Sequence, residues 1–153
     1  MRRLKSMIIS AVSVAVPLLA ISCASVKEIP ADLTSAQLIQ QGQNAYSSSN
    51  YSLAEKYYET VIQRYGNNTA TYIEAKYELG HLYIKTKNYQ KAYQAFDEIL
   101  EIYSYAAIGD LPPAYRKLAQ IGMDKIPEKK LEEFRGGQEN VQSDVNTADA
   151  QSE

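Results

Sequence analysis

Two adjoining stretches decide the fold: Glu74-Ala75-Lys76-Tyr77-Glu78-Leu79-Gly80-His81-Leu82-Tyr83 and, beyond Asn88, Tyr89-Gln90-Lys91-Ala92-Tyr93-Gln94-Ala95-Phe96-Asp97-Glu98-Ile99-Leu100. Both have helical periodicity, and Asn88-Tyr89 marks the turn between them. Gly80 inside a helix costs about 1 kcal/mol relative to alanine, so its presence predicts that another helix comes too close to admit a side chain. Ala92 is its expected counterpart, with Leu79, Tyr83, Tyr89 and Phe96 filling the space beside the crossing. The same arrangement occurs earlier. Gly42, Tyr51, Ala54, Tyr58, Val61 and Ile62 recur as Gly80, Tyr89, Ala92, Phe96, Ile99 and Leu100, every pair 38 positions apart. Gly42 and Ala54 are therefore expected to meet in the first copy, with its turn at Asn50-Tyr51 and an insertion loop around Gly66 to Thr71. No stretch alternates polar and apolar residues long enough to argue for a strand.

A third unit starts at Leu111, where Pro112 and Pro113 suit a helix start and Tyr115, Leu118 and Ala119 take first-helix positions. Pro127 stops it early, so Pro112 to Lys125 reads as a cap, with Glu128 to Phe134 adding a turn or two. The repeat resembles the tetratricopeptide pattern, carried by Ala75, Tyr77, Leu79, Gly80, Tyr83, Tyr89, Ala92, Phe96, Ile99 and Leu100. That resemblance implies an all-α, TPR-type α-solenoid of two helical hairpins plus a C-terminal capping helix. The expected limits are 35–134 for the helical domain, with repeats near 35–68 and 73–106 and the cap at 111–126.

The N-terminus reads as an export signal. Arg2, Arg3 and Lys5 precede an apolar run from Met7 to Ile21 that is shorter than the roughly 20 residues a membrane-spanning helix needs. Leu19-Ala20-Ile21-Ser22-Cys23 resembles a bacterial lipobox, which implies a signal peptide over 1–22, acylation of Cys23, and a lipidated tether over 23–34. The alternative is an ordinary secretory signal with a buried thiol. Residues 135–153 are polar and acidic and are expected to be a disordered tail.

Across all 153 residues, 16 basic against 18 acidic side chains give a net charge of -2, and removal of the signal makes the chain more acidic. Nucleic acid is therefore an unexpected partner. One cysteine and one histidine cannot furnish a disulfide or the usual ligands of a structural zinc site. No paired carboxylates, activated serine or phosphate loop stands out, so neither an enzymatic activity nor a cofactor, metal or small-molecule substrate is expected. His81 has no nucleophile to serve as a general base, and is expected to line a groove or pack partly buried.

The repeat resemblance implies that first helices line a concave groove, which would collect Tyr46, Tyr77, His81, Ile84 and Lys85 as a protein-binding surface. The basic clamp with which some such repeats hold acidic peptide ends is missing: Ile39, Gln43, Glu78 and Pro113 stand at those positions and only Lys117 is basic. A lipidated stack of this kind resembles the BamD-type lipoproteins of the machinery that inserts β-barrel proteins into the outer membrane. Cys23, Tyr51 to Tyr58, Val61 to Tyr65 and Ala75 to Gly80 carry that likeness. It implies a periplasm-facing scaffold, anchored in the outer membrane through lipid, with protein partners such as β-barrel assembly subunits. The competing reading is a general periplasmic adaptor that links cell-wall or envelope-maintenance proteins to the outer membrane.

Overall fold

The computed structural model describes residues 28–136, and the signal segment, Cys23 and the tail 137–153 lie outside them. The described residues form helices α1 (Ser35–Ser47), α2 (Tyr51–Tyr65), α3 (Thr69–Lys85), α4 (Tyr89–Tyr105) and α5 (Pro113–Met123), followed by α6 at 128–136. No strand occurs among them. Each helix packs on the next, while α3 also touches α1 and α5, which sets the first helices of successive hairpins side by side. This is the expected all-α stack of helical hairpins.

Both hairpin turns use one device, set at equivalent places in the two repeats. Ser49 (φ 60) and Lys87 (φ 59) adopt the left-handed conformation. The next residue then donates its backbone N–H across the helix end, Asn50 to the Ala45 carbonyl at 2.9 Å and Asn88 to the Tyr83 carbonyl at 2.8 Å. The same two asparagines cap the following helices, accepting from the N–H groups of Leu53 and Lys91. One helix is thus closed and the next opened within three residues. Thr34 and Gln37 form a capping box on α1, and Asn68 caps α3.

The glycines are close approaches, as their helical positions imply, but alanine is not what approaches them. A Cβ on Gly42 would lie 2.3 Å from the Tyr58 ring, and one on Gly80 would lie 2.5 Å from the Phe96 ring. Ala54 and Ala92 are fully buried beside them; each aromatic ring, one helical turn further along, takes the space that the glycine leaves. Gly122 on α5, which the repeat pattern does not reveal, meets Phe96 from the other side at 2.3 Å. Phe96 is 1% exposed between two backbones.

Three boundaries differ from expectation. The link from α2 to α3 is only Gly66 to Asn68, because α3 starts at Thr69; the length beyond a standard repeat extends that helix and not the loop. Residues 28–34, expected to belong to the tether, are docked. Ile29 is buried, the Arg64 guanidinium donates to the Pro30 carbonyl at 2.6 Å and the Ile29 carbonyl at 3.0 Å, and the Tyr65 hydroxyl donates to the Leu33 carbonyl. At the other end Pro127 interrupts the chain as expected, yet its carbonyl accepts from the N–H groups of Lys130 and Leu131 and so starts α6. α6 seats Leu131 in the core and Phe134 against the Tyr93 ring at 5.6 Å, and runs through 135 and 136, past the expected limit at 134.

Polar ties cross the hairpins. Glu55 of α2 accepts from the Tyr83 hydroxyl of α3 at 2.7 Å and pairs with Lys91 of α4 at 3.0 Å, and that ammonium also lies over the Tyr83 ring. Burial pushes the Glu55 carboxyl up, but the Tyr83 and Lys91 hydrogen bonds outweigh it and hold it below its ordinary value.

Two substitutions test the glycine seats and the turns in opposite directions. Gly80→Ala should destabilise the fold by about 1 to 3 kcal/mol despite alanine's better helix propensity, because Phe96 has no room to retreat. Lys87→Gly should stabilise it, by up to about 1 kcal/mol, by relieving a left-handed residue that carries a Cβ. Chemical denaturation of the two variants measures both, and an unchanged Gly80→Ala midpoint would contradict the packing described.

Candidate protein-binding groove

Helices α1, α3 and α5 present a continuous row of rings. Tyr46 of α1 packs edge-on to Tyr51 at 5.6 Å between centroids and lies 5.3 Å from His81 of α3. His81 stacks on Tyr77, one turn back along α3, at 6.3 Å and an interplanar angle of 17°. Tyr77 in turn meets Tyr115 of α5 edge-on at 5.7 Å. The residues i, i+4 and i+8 on α3, namely Tyr77, His81 and Lys85, share one face because the helical repeat places them one above another.

Of the five residues expected in the groove, Tyr46, Tyr77 and His81 are thus brought into direct ring contact. All three are partly buried and partly open to solvent. Lys85 is exposed one turn further on. Ile84 is partly buried and packs against the core, so it supports the row from behind. Tyr77 is shared: it also lies 6.4 Å from Phe96, and its packing and its exposure have to be tested together.

Sequence reasoning left Tyr115 out of this surface. Tyr115 follows Tyr77 by the same 38 positions as the other repeat pairs, a signal that could have placed it in the row. Gln43 and Glu78, at groove positions in the sequence pattern as well, touch, the Gln43 amide donating to Glu78 Oε1 at 2.8 Å. Ile39, another clamp position, is buried and does not line the surface.

The row is electrically graded along α3, from Glu74 and Glu78 at one end to Lys85 at the other, with Lys125 near His81. Burial, then the charges of Glu74 and Glu78, push the Tyr115 hydroxyl up to about 12. Burial of His81, helped by Lys125 and Lys85 and opposed by Glu78, lowers its pKa, so the imidazole is neutral in the folded chain at pH 7.

Elsewhere on the surface, Tyr105 and Ile108 stand out from the α4–α5 connection, both largely exposed. No group of three His, Cys, Asp or Glu side chains that could hold a metal ion occurs among the described residues. Nor is any described helix long and apolar enough to cross a membrane.

No family model matches the chain, and no solved structure matches it. An uncharacterised protein of Treponema pallidum (strain Nichols) is 37% identical over 115 residues, an alignment that takes in 72% of this chain and 46% of the relative. The chain therefore spans less than half the length of the curated relative it matches.

The lowered pKa of His81 sets a pH dependence with a definite sign. The unfolded chain takes up the proton at the ordinary value of 6.5 while the folded chain resists it, so stability should fall as pH drops through that value. His81→Gln should remove this component. The loss due to Glu55 belongs to a separate window, below its ordinary value of 4.5. Melting temperatures from pH 8 to about pH 5 for both chains provide the measurement.

Proposed function

We propose that this chain is a protein-binding scaffold of the tetratricopeptide type, held at the outer membrane by acylated Cys23 and facing the periplasm. The observation that supports the binding role most directly is the row Tyr46–His81–Tyr77–Tyr115, assembled from three separate helices and only partly buried. A hairpin stack could bury such rings; aromatic anchors on a rigid concave face suit a helix or extended segment of a partner. The likeness of Tyr51 to Tyr65 and Ala75 to Gly80 to the BamD-type lipoproteins points the role towards β-barrel protein assembly.

Two experiments test the parts separately. Intact mass of membrane-extracted protein should show an acylated cysteine at the N-terminus, and Cys23→Ala should release the chain from membranes; an unmodified chain starting elsewhere ends the anchor proposal. Cross-linking and co-purification from the native envelope should recover a β-barrel assembly subunit, whereas recovery of cell-wall enzymes would move the scaffold to the envelope-maintenance role. Tyr77→Ala should weaken the recovered complex by about 2 kcal/mol or more. Retained binding with a lowered melting temperature would assign Tyr77 to packing alone.

A further inference from the structure

Glu74 and Glu78 are partly buried beside the aromatic row, yet the ion pairs of the described residues lie elsewhere, at Lys76–Glu98, Lys91–Glu55 and Lys130–Glu133. Glu78 receives a hydrogen bond from the neutral Gln43 amide, and α1, which carries that glutamine, has no charged residue. Beneath them the Tyr58 hydroxyl, on a side chain that is 1% exposed, lies beside Glu78 and Tyr46 and reaches no partner but Glu78. A partly buried carboxylate whose neighbours are neutral donors gains from an arriving cation through a charge-assisted hydrogen bond. Tyr115, which meets Tyr77 edge-on at 5.7 Å and lies close enough to Glu74 and Glu78 to feel their charge, adds the attraction of a ring quadrupole for the same cation.

We propose that this end of the groove receives a lysine or arginine side chain from an extended segment of a protein partner, its cation seated against the Tyr115 ring and paired with the carboxylates of Glu74 and Glu78. This rests on the groove being the binding surface. It reverses the charge preference of a basic clamp. The opposite end, with Lys85 and Lys125 around the neutral His81, disfavours a second cation, so the segment lies in one direction with its basic residue towards Glu74.

The test uses the full chain and three fluorescein-labelled nonapeptides of alanine, leucine and serine that carry at the centre arginine, citrulline or glutamate. Fluorescence anisotropy should show binding of the arginine peptide, with affinity lower by about tenfold or more for citrulline and lower still for glutamate. Glu78→Gln should weaken the arginine peptide by about tenfold while leaving the melting temperature unchanged, and Glu101→Gln, on the exposed side of α4, should have no effect. Equal binding of the arginine and citrulline peptides, or indifference to Glu78→Gln, overturns the proposal. If all three peptides bind alike and Tyr77→Ala weakens all of them, the groove survives and the cation seat falls. If no peptide binds, the cation seat falls too, and the effect of Tyr77→Ala on the native complex decides the groove by itself.

Discussion

Phe96 is the wedge on which the stack depends. Its ring occupies the only space available between Gly80 of its own hairpin and Gly122 of the next, so one side chain sets both the closure of a hairpin and the docking of its successor. The Tyr58 ring closes the first hairpin against Gly42 in the same way, at the price of burying a hydroxyl that ends beside Glu78. Because these contacts are ring against backbone, the axes are held at a separation that no rotamer change can adjust. The ring row rests on the same packing: Tyr46, His81, Tyr77 and Tyr115 meet because α1, α3 and α5 are set side by side.

The turns add a second constraint. At Ser49 and Lys87 a left-handed residue ends one helix and the following asparagine starts the next, so neither hairpin has a slack linker. A tight link fixes rotation about the helix axis as well as position. That is why residues spaced by four on α3 come into ring contact with Tyr46, and it allows the Tyr83–Glu55–Lys91 tie to bridge three helices.

The sequence disclosed what depends on periodicity and left hidden what depends on three-dimensional fit. The 38-residue offset located both hairpins, their turns and the glycine approaches, since these are local and repeated. It could not show that the glycines receive rings and not alanines, because Ala92 and Phe96 both lie on the inward face and only volume separates them. Gly122 escaped for a related reason: it breaks the spacing, and its role appears only when α5 is laid against α4. Residues 28–34 carry no periodic signal, so their docking onto Arg64 and Tyr65 through backbone carbonyls left no trace in the pattern. Tyr46, Tyr77 and His81 are legible as one face of the first helices, whereas the spacing that puts Glu78 at a clamp position says nothing of Gln43 and Tyr58 beside it.

The strap formed by Ile29 and Pro30 under the Arg64 fork shortens the chain available ahead of the folded unit. Cys23 lies six positions ahead of Ile29, a span of about 20 Å at full extension. A free tether through residue 34 would nearly double that reach. An acyl group at Cys23 would thus keep the open end of the α1–α2 hairpin within a short leash of the bilayer, and it would do so at the end of α2, away from the ring row. A partner approaching the groove would then meet a surface presented at a restricted height above the membrane instead of one sampling a wide hemisphere, which raises the encounter rate with targets that are themselves membrane-bound.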